Sequence, residues 1–245
     1  MNPFESYTLR NLNKIYQHKW LIENLIPENG TCIAYGPPGS YKSFIALDIG
    51  LHITNGINWH NNKLNKSGLV IYLVGEGIQG ISKRCKAWHS YYKLTDNTAF
   101  ITIPFQHIII HTDDNISFLI KKITELEEKY NTKTVLIIID TLARAMVGIE
   151  ENSSKDTSLF IHKFDKVKKT FNCALLYIHH CGKDITRGMR GSSALLACVD
   201  VSIAIENTCR HVNIAVVKQK DAEQISSTLI IHKHEESVVL LNRQE

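Results

Sequence analysis

The residues best placed to do chemistry lie between Thr31 and Ile53, in TCIAYGPPGSYKSFIALDIGLHI. Gly36, Gly39, Lys42 and Ser43 fit the design G-x-x-x-x-G-K-[ST]. In that design loop N–H groups and a helix N-terminus cradle phosphates, the Lys reaches the β/γ oxygens and the hydroxyl ligates Mg²⁺. The candidate nucleotide-binding segment is therefore Gly36, Pro37, Pro38, Gly39, Ser40, Tyr41, Lys42, Ser43 and Phe44, with Ser43 as a candidate metal ligand. Tyr41 stands where the pattern has its second Gly. A non-Gly residue in a left-handed conformation costs about 1–2 kcal/mol, so Tyr41 is expected to keep ordinary backbone angles, with Gly39 taking the tight bend. The alternative is a strand–turn–helix connection that contains Lys-Ser by chance.

Two acids follow buried-looking strands. Gly68–Val74 is a continuous apolar run that delivers Gly75-Glu76-Gly77 to the C-terminal edge of a parallel sheet, where α/β folds place ligands. There Glu76 could orient or deprotonate a water attacking a γ-phosphate, or it could cap the helix over about 78–92. Val135–Ile139 ends in Asp140, the pattern of an acid that holds Mg²⁺ through its water shell. The strand Ala174–Ile178 runs into His179-His180-Cys181-Gly182. A metal site is disfavoured because no second ligand pair stands at suitable spacing. One imidazole hydrogen-bonding the γ-phosphate or its water is the better reading, and strand alternation allows only one of the two.

Between Gly182 and Ser193 lie glycines, hydroxyls and three cations against one acid. Lys183, Arg187, Arg190, Ser192 and Ser193 are the candidate nucleic-acid-binding residues, suited to backbone phosphates rather than base readout. A merely solvated loop is the alternative. Lys218 and Lys220 end the strand from His211, two positions apart and so side by side on one face.

The elements that must position these groups read as a mainly parallel α/β core. The helix after Lys42 is apolar almost around its circumference, as a helix buried against a sheet should be, and ends near Asn55-Gly56. Lys83, Arg84 and Lys86 on the next helix read as a solvated face. Ala99–Pro104 is a short strand and 115–130 an amphipathic helix. Another helix, capped by Asn152 or Ser153, runs to Thr170. Strands at Val199–Glu206, His211–Lys218, Ser226–His232 and Val238–Leu241 finish the sheet in antiparallel fashion. Residues 1–30 form a lead-in packed on the core, with core packing preferred over adenine stacking for Tyr16 and Trp20, and 31–245 form one domain.

A chain of 245 residues with 44% hydrophobic content can bury a full core. The net charge of +4 permits an anionic partner without demanding one. Six cysteines stand singly, with no C-x-x-C pair, as in a reduced cytoplasmic protein. No apolar run approaches the roughly 18–20 residues that span a bilayer, and no signal-peptide apolar region opens the chain. Cytoplasmic location without membrane attachment is expected.

The ordered set of phosphate loop, Gly-Glu-Gly, IIIDTLARAM, IHHCGKD, RGMRGSSAL and VVKQK resembles the RecA/DnaB superfamily of oligomeric ATPases, and among them the RepA-type hexameric helicases of plasmids and phages. The resemblance covers about residues 20–220 and is most specific from Asp140 to Leu195. It implies a RecA-like core in a homo-oligomeric, hexameric ring, ATP and Mg²⁺ between subunits, and single-stranded DNA gripped by channel loops. Carried over, Lys42 and Ser43 match the phosphate and Mg²⁺ residues, Glu76 the catalytic carboxylate and Asp140 the Mg²⁺ acid. His180, with His179 as its less favoured neighbour, matches a γ-phosphate sensor, and 183–193 the DNA loop. Lys218 and Lys220 match cations that reach a neighbour's ATP. A primase or replication initiator is an implied partner, although no N-terminal primase-interaction domain is present. The expected activity is an ATP-driven DNA motor. A nucleotide-controlled DNA-binding switch is the second reading, and a small-molecule kinase, for which no acceptor pocket can be read, the third.

Overall fold

The structure is a computed structural model that describes residues 6–11, 19–95, 99–181, 193–220 and 222–243. The Tyr16 reading and the Lys183, Arg187, Arg190 and Ser192 readings lie outside the described residues, as does the side chain of Ser193.

Chain order is β1 (Trp20–Ile22), β2 (Ile26–Pro27), β3 (Thr31–Gly36), α1 (Lys42–Asn55), β4 (Leu69–Val74), α2 (Ile78–Tyr92), β5 (Phe100–Pro104), α3 (Asp113–Tyr130) and β6 (Thr134–Asp140). It continues with α4 (Leu142–Ala145), α5 (Ser154–Phe171), β7 (Ala174–His180), α6 (Ser193–Cys198), β8 (Val201–Thr208), β9 (His211–Gln219), β10 (Ser226–His234) and β11 (Ser237–Asn242). Among the described residues nine strands form one sheet in the order β11-β10-β9-β8-β3-β7-β6-β4-β5. All pairs from β5 to β8 are parallel, and β8-β9-β10-β11 are antiparallel. The fold is a RecA-like α/β domain with C-terminal antiparallel strands, as expected. One detail differs: β8 still runs parallel to β3, so the switch of direction comes one strand later than the sequence predicts. Gly36 makes that pairing close, since a Cβ there would lie 2.0 Å from the Ile205 carbonyl oxygen of β8.

β3, β4 and β6 are buried at every residue, which is why they read as unbroken apolar runs rather than alternating ones. Their two faces feed two cores. Cys32, Ala34, Val70, Tyr72 and Ile138 pack towards α1, while Ile33, Ile71, Leu73 and Ile137 pack towards α3 and α5. Leu21, Ile22, Leu25 and Ile26 of the β1–β2 segment are fully buried in the α1-side core, and Trp20 pairs with Pro27 in that ribbon.

The helix boundaries follow local chemistry. Thr112 and Ser153 cap α3 and α5 by accepting from the N–H of Asn115 and Asp156. Gly56 closes α1 in a left-handed conformation. A charge inside α1 ties it to α2. Buried Asp48 accepts from the indole N–H groups of Trp59 (2.8 Å) and Trp88 (2.9 Å) and lies 2.9 Å from His60 Nε2. Burial works against its ionised form, but His52 and His60 and these donors more than offset that and hold its pKa below the usual aspartate value.

The antiparallel strands curl over the helical layer. Val239 and Leu241 of β11 pack on Leu51 of α1 and on Ala87 and Trp88 of α2. This brings the β10–β11 turn above the phosphate loop, where Glu236 pairs with Lys83 at 2.7 Å. Among the described residues no helix is long and apolar enough to cross a membrane.

Candidate active site

The phosphate loop is held from both sides. Cys181 N–H, just beyond β7, donates to the Gly36 carbonyl at 3.1 Å, and Asn207 of β8 donates to the Gly39 carbonyl at 3.3 Å. Lys42 is 5% exposed and its Nζ donates to the Pro37 carbonyl at 2.7 Å and lies 3.5 Å from Ser40 Oγ, so the cation is folded into the loop that would surround a phosphate. Burial lowers its pKa, while Cys181, Asp140 and Glu76 pull the other way. Gly39, Ser40, Tyr41, Lys42, Ser43 and Phe44 line a cavity of about 970 Å³. Gly36, Pro37 and Pro38 form the stem behind it and do not line it.

Tyr41 corrects the expectation from sequence. It adopts φ 68°, in the left-handed region, and Gly39 does so as well at φ 78°. The bend is therefore shared, and the Tyr41 ring is held by packing on Phe44, 5.3 Å between centroids, and on the α1-side core. Tyr41→Gly is expected to unfold about 1 kcal/mol harder than Tyr41→Ala, since both lose the ring and only alanine keeps the strain. Denaturant titration of the two variants checks this; equal stabilities would remove the strain from the account.

Sheet order then decides which side chains meet. β7 lies between β3 and β6, with His180 in register with Gly36 and Ile178 with Asp140. His180 thus emerges between Lys42 and Asp140, and it lines the cavity. Burial, with Lys42 beside it, depresses its pKa below that of free histidine, so the ring is neutral at neutral pH. His179 points to the opposite face, is 1% exposed and lies 3.3 Å from Glu151. The two imidazoles therefore do not share a site.

Asp140 is 3% exposed. Its Oδ2 accepts a short hydrogen bond from the Tyr72 hydroxyl, and its Oδ1 is buried with no hydrogen-bond partner among the described residues. Burial raises its pKa, offset in part by the Ser43 and Tyr72 hydroxyls. An orphaned carboxylate oxygen, pushed towards protonation and beside the Ser43 hydroxyl, fits a hard cation, and Mg²⁺ commonly takes one or two protein ligands and completes its shell with phosphate and water. Asp140 and Ser43 are the residues that would hold it.

Glu76 follows β4 in the loop before α2. The helix-cap alternative does not hold, because the N-cap of α2 is Gly77 in a left-handed conformation with no side-chain cap. Glu76 instead stands half-exposed, with Oε1 3.9 Å from His180 Nε2 and Oε2 3.3 Å from Arg144 Nε.

Sequence reasoning missed two sets of residues. Arg84, read as part of a solvated face, stacks its guanidinium 4.3 Å above the Phe44 ring and lines the cavity with Gly80 and Lys83. The β10–β11 hairpin supplies Ile231, Lys233, Glu235 and Ser237 to the far wall. Spacing to the Gly-Glu-Gly turn could have hinted at Arg84, but nothing local signals the hairpin.

Lys218 and Lys220 do converge, as alternation predicts, though at the opposite edge of the sheet. Lys218 donates to the carbonyls of Leu196 and Val199, and Lys220 pairs with Asp200 at 2.7 Å. Asp200 in turn accepts from the N–H of Thr31, the first residue of β3. Gly36 lies at the other end of that strand, about 17 Å away at the usual rise per residue, so neither lysine meets phosphates bound at its own chain's loop.

The sequence profile of the AAA domain family matches residues 8–185. Among solved structures the chain is similar to the ATPase domain of the protein G-40-P, with a TM-score of 0.62 at 11% identity, covering 88% of this chain and 86% of that one. No curated protein matches it significantly.

Proposed function

We propose that this chain, which belongs to the AAA domain family of P-loop ATPases, is a RepA-like DNA helicase or translocase that hydrolyses ATP at subunit interfaces of a ring and grips single-stranded DNA during replication of a plasmid, phage or similar element. The observation that carries this reading is the convergence of Lys42, Ser43, Glu76 and His180 around one cavity at the C-terminal edge of the sheet, with Asp140 buried beneath it beside Ser43. Lys42 neutralises the β/γ oxygens. Asp140 and Ser43 would hold Mg²⁺, which would supply further charge neutralisation there. Glu76 orients and takes the proton of the attacking water, and neutral His180, within reach of Glu76, reads the γ-phosphate. The kinase reading has no observation of its own in its favour; the cavity wall beyond the loop is the β10–β11 hairpin, with Lys233, Glu235 and Glu236.

A second reading, a nucleotide-controlled DNA-binding switch, is favoured by one observation. Glu76 is paired with Arg144, which suits a site that turns over slowly until something frees it. Strand displacement measured with and without ATP separates the two. Unwinding that requires ATP supports the motor, whereas DNA-stimulated hydrolysis without displacement supports the switch.

The DNA grip is assigned to Lys183, Arg187, Arg190, Ser192 and Ser193 on sequence grounds. Arg187→Ala/Arg190→Ala is expected to weaken single-stranded DNA binding irrespective of sequence. Each lost phosphate contact should lower the log–log salt slope by about 0.7, with basal ATPase retained. Binding isotherms across a salt series check this, and an unchanged slope would leave the segment a solvated loop.

A further inference from the structure

Glu76 belongs to two cavities at once. Its Oε1 side faces His180 in the nucleotide cavity, and its Oε2 side faces Arg144 in a separate cleft of about 390 Å³. That outer cleft is lined by Gly75, Glu76, Gly77, the 105–109 segment, Arg144 and Val147, and among the described residues Glu76 is the wall it shares with the nucleotide cavity.

We propose that this outer cleft is a binding site for the phosphodiester backbone of single-stranded DNA, and that a phosphate taken by Arg144 releases Glu76 to the nucleotide. The inference rests on the DNA-coupled reading above and adds to it the site through which DNA reaches the chemistry.

Three features of the cleft carry it. Arg144 is 60% exposed and Glu76 44%, and they are joined through a single Nε contact at 3.3 Å. An ion pair of that kind is weak and easily exchanged. The guanidinium keeps its terminal nitrogens without a partner among the described residues, and its fork matches a phosphate in bidentate fashion, which is the stronger bond.

Next, the pair is built in rather than incidental. A Cβ at residue 75 would lie 2.6 Å from the Cβ of Arg144 and 2.8 Å from the Phe105 ring, so a glycine there is what lets α4 come up against the Glu76 loop. Gly75 N–H also donates to the Asp140 carbonyl at 2.6 Å, which fixes that loop to the strand from which α4 departs.

Finally, the surroundings suit a nucleic-acid strand better than a small anion. Ile108, Ile109 and Val147 are about half-exposed beside the one arginine. His111 holds the two sides together through the Val147 carbonyl at 3.0 Å. A single cation flanked by apolar ledges offers a place for one phosphate with its sugars and bases alongside, whereas inorganic phosphate would use only the cation.

The chemistry is an exchange of partners with no covalent step. While Arg144 holds Oε2, the carboxylate is drawn to the outer cleft. With a phosphate on Arg144, Glu76 is left beside His180 on the nucleotide side.

The experiment is steady-state ATPase of wild type, Arg144→Ala and Arg144→Lys in oligo(dT), in inorganic phosphate, and in neither. Arg144→Ala should raise the basal kcat about two- to fivefold, the factor a surface ion pair can hold back, with KM for ATP unchanged. Its stimulation by oligo(dT) should fall close to unity, and Arg144→Lys should restore part of it. An unchanged stimulation ratio in Arg144→Ala, or a basal rate that falls with the ratio intact, would overturn the inference while leaving the DNA-coupled reading in place. Inorganic phosphate that stimulates as well as oligo(dT) would overturn the assignment to a DNA backbone. A wild type that hydrolyses ATP and ignores oligo(dT) would instead sink the DNA-coupled reading itself.

Discussion

Glu76→Gln is expected to bind ATP as tightly as the wild type while turning it over about 10²–10⁴ times more slowly, the range that one positioned acid or base supplies. The amide keeps the shape of the side chain but cannot accept a proton from the attacking water. Among the described residues the polar partners of Glu76 are Arg144 and His180 rather than the phosphate loop, so ground-state affinity should be spared. Lys42→Ala should show the opposite pattern. Its buried ammonium is folded against Pro37 and Ser40 in the loop, and it is the only Lys or Arg on the loop itself. Losing a charge-assisted contact of about 1.5–3 kcal/mol to each engaged oxygen should weaken nucleotide binding by at least about tenfold. Nucleotide titration and single-turnover hydrolysis on both variants separate binding from chemistry. Near wild-type hydrolysis by Glu76→Gln would remove it from the catalytic role and leave it as the partner of Arg144 alone.

The second large effect belongs to Lys218 and Lys220. Within one chain they stand at the edge of the sheet opposite the phosphate loop, engaged with the 196–200 segment. An effect on hydrolysis therefore has to come through a neighbouring copy. A cation delivered in trans to a transferring phosphoryl group is worth about 10³–10⁵ in turnover, so Lys218→Ala/Lys220→Ala should still bind nucleotide and hydrolyse almost none. Lys220 is the better candidate to reach out, since it is about half-exposed and paired with the single acid Asp200, whereas Lys218 satisfies two backbone carbonyls beside it. The decisive measurement mixes variant with wild type and follows ATPase against the ratio. In-trans action depresses activity more steeply than dilution, because each variant subunit spoils a neighbour's site. A linear decline or a fully active double variant would confine both lysines to holding the β8–β9 end together.

Much of this protein is written in stretches short enough to read locally. Strands β3, β4, β6 and β7 announce themselves because each is covered on both faces and must be apolar throughout, and α1 because it is buried nearly all round. Lys42, Ser43, Glu76 and Asp140 follow from those strands, since a parallel sheet delivers every strand's last residue to the same edge. Tyr41 marks where local reasoning stops. Its left-handed backbone is disfavoured by about 1–2 kcal/mol on its own, and it is held by a ring contact with Phe44 and by the core beneath, which no propensity of Tyr41 records.

What only the tertiary structure decided are meetings between residues far apart in the chain. Alternation lets only one of the two imidazoles face the site, and placing β7 between β3 and β6 is the matter of strand order that brings His180 to Lys42 and Asp140. The curl of β10 and β11 over α2 moves Arg84 from an expected solvent face into the cavity and gives the cavity its far wall. Glu76 meets Arg144 across 68 residues of sequence, because a glycine lets the loop after β4 come up against α4 at one sheet edge. Periodicity reports which face of an element is covered. It carries no information about which other element does the covering, and the partners of Glu76, Arg84 and Lys220 are set at that level.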